Sequence, residues 1–153
     1  MLEFNYDLNY KELDFTDEET RKLYRIGRGE QGVLLVRPYT DDICAHWRFK
    51  TPEIAKKSAA KIYEMYLIYR DKKDFIGMDM CRKFLEMGFT RSRRYANHRN
   101  GKKYDKEGNV IPQEKDHATC HFATSATIFK KTRDVVAKNE TYVKMRKQWR
   151  SEE

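Results

Sequence analysis

Apolar residues in this chain recur at two spacings, and each predicts its own kind of element. Ile54, Ala55, Ser58, Ala59, Ile62, Met65, Tyr66 and Tyr69 fall three to four apart, the repeat of one helix face with a small serine in the stripe. Thr51-Pro52-Glu53 precedes them: a capping hydroxyl, a proline where no N–H is needed, and an acid near the positive helix end. A helix is predicted from there to about Arg70. Phe75, Met78, Cys81, Phe84 and Leu85 predict a second from about Asp74 to Met87, with Gly88 as its stop. Thr90 then reads as the cap of a third, shorter helix through Asn97. From Glu114 onward Ala118, Phe122, Ser125, Ile128, Phe129, Val135 and Val136 continue the helical pattern, and Tyr142, Met145 and Trp149 mark a last helix.

Elsewhere the spacing is two. Phe4, Tyr6, Leu8 and Tyr10 alternate with polar residues, which fits a short strand or an extended arm over about residues 1–15, pinned by its rings. Thr16 is placed to cap a short helix through Arg25. Gly27-Arg28-Gly29-Glu30-Gln31-Gly32 reads as a flexible turn, and Val33-Leu34-Leu35-Val36 as the best strand of the chain, ended or edged by Pro38. His46-Trp47-Arg48-Phe49-Lys50 alternates ring and charge as a second short strand. Asn100-Gly101 and Gly108-Asn109 enclose a small hairpin over 101–112. The expected fold is therefore α+β: one mostly helical domain over 1–153 with a small antiparallel sheet near residues 24–50.

Composition supports a folded chain and adds a polarity to it. Ten Tyr, eight Phe and two Trp supply a core among 153 residues, although 37% of the residues are charged. The net charge of +8 is uneven. Residues 1–23 carry seven acids against three bases, whereas residues 91–150 carry 16 Lys or Arg against six acids. An acidic aromatic arm thus precedes a basic C-terminal half whose field attracts anions. Three scattered cysteines without a CxxC pair suggest reduced thiols and a cytoplasmic setting. No signal-like N-terminus and no bilayer-length apolar run is present, so no membrane association is expected.

The densest chemistry lies in TRSRRYANHRNGKKY, Thr90 to Tyr104. Arg91, Arg93, Arg94, Arg99, Lys102 and Lys103 surround Tyr95, Asn97 and His98 with no acid among them. On a helix, Arg91, Arg94 and His98 form one stripe with Tyr95 anchoring the other side. Like charges at that spacing repel, so the stripe calls for an anion or a carboxylate partner. Guanidinium forks suit phosphate oxygens. The competing reading is internal neutralisation by the acids of residues 1–23, or by Asp79 and Glu86. His46 to Lys50 has the same chemistry in miniature, with rings that stack on bases and cations that hold phosphate.

Other motifs carry less. GRGEQG has the spelling of a dinucleotide loop, but its glycines precede a strand pattern instead of following one. A turn into a strand is favoured, with Arg28 and backbone N–H groups as an anion contact. His117, Cys120 and His121 sit at i, i+3 and i+4, a spacing zinc accepts on a helix. No fourth ligand is visible, so no metal is expected there, and no cofactor elsewhere.

Four stretches together bear a family resemblance: YRIGRGEQGVLLVRPY (Tyr24–Tyr39), HWRFKTPEIAKKSA (His46–Ala59), DFIGMDMCRKFLEMGFTRSRRYANH (Asp74–His98) and GKKYD (Gly101–Asp105). Over about residues 4–135 the chain resembles the family called domain of unknown function 4385, with bacterial, plant or algal, and phage members. The resemblance implies relatedness and carries no activity over.

The expected function is binding of a phosphate-bearing partner, nucleic acid foremost, through the 91–103 surface. The anion-binding candidates are Arg28, Arg48, Arg91, Arg94, Asn97, His98, Arg99, Lys102 and Lys103. One alternative is an enzyme or ligand-binding protein in which Arg28, His46, Arg48, Arg94, Asn97 and His98 converge on one pocket, with His46 or His98 transferring the proton. The other is an interaction module whose acidic arm docks on a basic face, its own or a neighbour's. The sequence fixes no oligomeric state.

Overall fold

The structure, a computed structural model, describes residues 2–153; Met1, at the start of the expected arm, lies outside the described residues. After a single 3-10 turn at Tyr10–Glu12 come α1 (Glu18–Arg21), α2 (Tyr39–Cys44), α3 (Pro52–Asp71), α4 (Phe75–Asn97), α5 (His121–Lys138) and α6 (Glu140–Ser151). Thr51 caps α3 through the Ile54 N–H at 3.2 Å, as its sequence predicts. The three residues between α3 and α4 fold them into a hairpin. Lys73 takes a left-handed φ of 55°, and Asp74 caps α4 by accepting from the Gly77 N–H.

α4 is the centre of the molecule. Its residues from Phe75 to Cys81 are buried without a break, the mark of a helix covered on all sides. It packs most extensively on α5, then on α3, with α2 and α6 closing further faces. The Tyr95–Phe122 ring contact, the seat of Phe129 against Gly88 and the Glu86–Arg133 ion pair run in opposite chain order, so α4 and α5 are antiparallel.

Three expectations are corrected here. Gly88 does not stop a helix, and α4 runs unbroken through it. The Phe129 ring occupies the space a β-carbon at residue 88 would need, so this glycine is a packing notch. Thr90 accordingly caps nothing; its hydroxyl lies 3.3 Å from the Met87 carbonyl and 2.7 Å from Glu30 Oε2. The α+β class is also wrong. The fold is almost entirely helical, and among the described residues the sole pairing of extended backbone is an isolated antiparallel bridge, Tyr104 to Val110.

The physical reason for the missing sheet is local. Val33–Val36 has no partner strand and closes into successive turns, Val33 N–H to Glu30 carbonyl and Leu35 N–H to Gly32 carbonyl. The Thr40 hydroxyl then satisfies what a sheet would have satisfied. It accepts from the Val36 N–H and donates to the Val33 carbonyl, both at 2.9 Å. His46–Lys50 is likewise held without a strand, because Ser58 on α3 bonds the His46 carbonyl (2.7 Å) and the Arg48 N–H (3.0 Å).

The N-terminal arm lies against its own chain. Phe4 stacks on Tyr10, and Tyr10 on Phe15. The Phe4 ring sits where a side chain at Gly32 would be (φ +75°), so only glycine fits this turn. The short helix expected from Thr16 is capped by Asp17 instead and ends at Arg21. Its Arg21 bonds Asp74 Oδ1 (2.8 Å) and the Tyr39 hydroxyl (2.7 Å), which ties the N-terminal segments to the α3–α4 turn.

Candidate functional site

The two basic, aromatic segments of the sequence are neighbours in space. Tyr95 on the last turns of α4 lies 5.6 Å, centroid to centroid, from Phe49, and 5.4 Å from Phe122 at the start of α5. Trp47 extends this cluster, 5.2 Å from Phe49 and 6.4 Å from Phe84. Together they line an open groove of about 820 Å³ with Ile54, Arg48 and Lys50 at its edge. The Trp47 Nε1–H is buried with no hydrogen-bond partner among the described residues. Phe122 is the member that sequence reading missed: its spacing marks a helix face, and nothing local says that this face meets Tyr95.

The cations of the two segments differ in what already holds them. Arg91, Arg94, Lys102 and Lys103 are exposed and, among the described residues, form no ion pair and no side-chain hydrogen bond to another residue. Lys103 lies over the Tyr104 ring at 5.6 Å. Arg99 reaches Asp116 at 3.5 Å, with both side chains largely in solvent, a weak pairing. Arg48 folds back onto the carbonyls of Cys44 and Trp47. Arg93 is structural, bonding Asn97 Oδ1 (2.7 Å) and the His117 carbonyl (3.1 Å).

Other expected site residues fall away from this surface. Asn97 has its side chain on Arg93, and its carbonyl accepts from the Glu114 N–H. His98 is buried as the C-cap of α4, its carbonyl accepting from Gly101 N–H at 2.7 Å. The stripe of Arg91, Arg94 and His98 is thus an exposed pair of arginines followed by an internal histidine. His46 is exposed. Arg28 lines a different concavity from Arg48, so the six residues imagined around one pocket do not share one. His117 and Cys120 precede α5 and only His121 belongs to it. Among the described residues no three His, Cys, Asp or Glu side chains gather as a metal site would require.

Asp79 and Glu86, named as internal neutralisers, are engaged elsewhere, and Glu3 of the arm pairs with the candidate Arg28. Asp79, fully buried, accepts from the hydroxyls of Tyr24 and Tyr142 (2.6 Å for the latter) and from Arg82 Nε at 2.8 Å. Lys83, one turn on, lies 3.9 Å from the same carboxylate and donates to the Gln31 carbonyl at 2.7 Å, beneath the rings of Phe4 and Tyr24. Burial works to raise the Asp79 carboxyl. The charges of Arg82 and Lys83, with hydrogen bonds from Arg82 and Tyr142, overcome it and hold the group at about 2. Burial pulls the Lys83 ammonium down to about 7, against the attraction of Asp79. Glu86 binds Arg133 at 2.6 Å, and Glu3 of the arm binds Arg28 at 3.2 Å.

The glycine turn accepts hydrogen bonds from three cationic side chains, while its Gly32 N–H donates to the Tyr6 hydroxyl at 3.1 Å. Its carbonyls at Gly27, Gly29 and Gln31 take hydrogen bonds from Arg150, Arg82 and Lys83. Arg82 and Lys83 thereby lock the turn onto α4 and Arg150 locks it onto α6.

An almost entirely helical fold with a central buried helix, an ionic latch on a glycine turn and an open aromatic groove defines the class. The chain belongs to the family described as domain of unknown function (DUF4385), which it matches over residues 5–152. No curated protein matches it, and no solved structure does. No helix among the described residues is long and apolar enough to cross a membrane.

Proposed function

We propose that this protein binds nucleic acid in single-stranded form, with bases against Tyr95, Phe49 and Phe122 and phosphates along Arg91, Arg94, Arg99, Lys102 and Lys103. One observation supports the reading: Phe49 and Tyr95 adjoin, which sets the rings of the 46–50 segment against the segment whose Arg91, Arg94, Lys102 and Lys103 form no ion pair among the described residues. Stacking platforms beside a basic track are the common means of holding a single strand. Every base offers a face to a ring, whereas a duplex keeps its bases stacked on one another. Arg48 and Lys50 line the groove itself. The three cysteines are free, in keeping with a reduced, cytoplasmic setting.

The test is a comparison of labelled single strands and duplexes of equal length. The single strand is expected to bind more tightly, and Arg91→Gln with Arg94→Gln to weaken it. Equal affinity for both forms, or no effect of the double substitution, removes the reading.

A further inference from the structure

A second basic concavity lies on another face of α4. At 100° per residue, Arg82 and Tyr95 are about 140° apart around the helix, so the two surfaces do not merge there. The glycine turn, α4, α5 and α6 enclose a cleft of about 610 Å³ lined by six cations: Arg28, Arg82, Arg133, Arg146, Lys147 and Arg150. Two carboxylates, Glu86 and Asp134, share the lining, and Asp79, Glu3 and Glu153 pair with Arg82, Arg28 and Arg150 from outside it.

The hydrogen bonds show which of these charges remain open. Both carboxylates are held by Arg133, at 2.6 and 2.8 Å. Arg82 is fixed by Asp79 and the Gly29 carbonyl. Arg150 places Nη2 on the Gly27 carbonyl at 3.1 Å and Nη1 3.7 Å from Glu153, while its Nε is buried without a hydrogen-bond partner. Arg146 and Lys147 form no ion pair and no side-chain hydrogen bond among the described residues. Arg28 has only its exposed contact with Glu3. The cleft therefore combines pinned guanidinium groups with two unpaired cations, Arg146 and Lys147, and a third, Arg28, held only by its exposed contact with Glu3. Concavity strengthens their shared field, because low-dielectric walls focus it.

We infer that this cleft binds a compact diphosphate: free pyrophosphate, or the diphosphate end of a small molecule. Its volume is that of a small-ligand site. Arg146 and Lys147 on α6 and Arg28 on the glycine turn face the cleft from two sides, and a diphosphate offers each side a phosphoryl group of its own, which a monocarboxylate or a single phosphate does not. Tyr142 is the sole aromatic side chain of the lining and is turned to Asp79, so the cleft lacks a stacking platform. Bound there, the anion joins α6 to the glycine turn. The inference uses none of the cations assigned to the nucleic-acid surface and stands or falls apart from it.

Titration calorimetry of the full chain with pyrophosphate, orthophosphate and ADP at low ionic strength tests it. Pyrophosphate is expected to bind more tightly than orthophosphate and to raise the melting temperature. ADP binding as well as pyrophosphate would point to a nucleotide source, and pyrophosphate binding alone to a diphosphate without a base; either result supports the site. Arg146→Gln with Lys147→Gln, at positions that hold no other part of the fold, should weaken pyrophosphate by about ten-fold or more and leave oligonucleotide affinity unchanged. Arg91→Gln with Arg94→Gln should do the reverse. Failure of pyrophosphate to bind, equal binding of orthophosphate, or equal loss in both double variants would overturn it.

Discussion

Phe49 and Tyr95, 46 positions apart in the chain, bring their ring centroids to 5.6 Å and thereby join the two segments in which aromatic residues alternate with bases. If bases stack here, Tyr95→Ala should weaken a single strand by about 1–3 kcal/mol, roughly 5- to 150-fold. Tyr95→Phe keeps the ring and should stay close to the parent. Anisotropy titrations of both variants separate stacking from the hydroxyl. Equal losses in the two would show that the ring is not the contact.

Asp79 gathers two phenols and two cations inside the fold. Removing its charge leaves Arg82 and Lys83 buried without their counter-ion, so Asp79→Asn should cost about 3–5 kcal/mol, a large part of a domain's stability. Tyr142→Phe deletes one bond to the carboxylate and should cost about 1.5–3 kcal/mol. Urea midpoints at neutral pH measure both. The carboxyl is held at about 2 in the folded chain, below its usual 3.8. Its stabilising contribution is therefore complete above about pH 4 and is lost as pH falls toward 2.

Lys83 gives the opposite limb. Its folded value is about 7 against an ordinary 10.5, so between these values the unfolded chain binds the additional proton. Stability should then rise with pH across that window, at no more than about 1.4 kcal/mol per pH unit from this one group. Below pH 7 both states are protonated and the contribution is flat. Urea unfolding of the parent and of Lys83→Met from pH 6 to pH 9.5 isolates it. The parent should show the steeper rise, and parallel curves would refute the assignment.

Gly88 and Gly29 make a paired test of packing against backbone freedom. Alanine normally favours a helix over glycine by about 1 kcal/mol. At residue 88 its β-carbon would overlap the Phe129 ring, so Gly88→Ala should destabilise by about 1–3 kcal/mol instead. Gly29 has a φ of +52° with nothing within 4 Å of a β-carbon, so Gly29→Ala should cost only the left-handed backbone term, about 1–2 kcal/mol. Thermal melts decide it; a raised melting temperature for Gly88→Ala would contradict the packing.

What the sequence made legible was what neighbours along the chain decide. Thr51-Pro52-Glu53 starts α3 because its capping groups lie within one turn, and Tyr142, Met145 and Trp149 mark α6 by spacing alone. At Gly88 a helix stop and a packing notch have the same spelling, and the deciding Phe129 is 41 residues away. At Val33–Val36 strand propensity presumes a partner strand, and here the Thr40 hydroxyl satisfies the backbone instead. The basic segment was visible as composition. That Asp79 and Glu86 are occupied by Arg82, Lys83 and Arg133 was not, because the i, i+3 and i, i+4 spacings around Asp79 do not reveal its burial.

The most direct test of nucleic-acid binding is the salt dependence of affinity for a labelled single-stranded oligonucleotide. Each phosphate neutralised on a single strand contributes a slope of about −0.7 to log K against log salt. Arg91, Arg94, Arg99, Lys102 and Lys103 should together give a slope of about −3.5, reduced to about −2 in Arg91→Gln with Arg94→Gln. A flat salt response, or a slope that the double substitution leaves unchanged, would contradict the assignment of this surface.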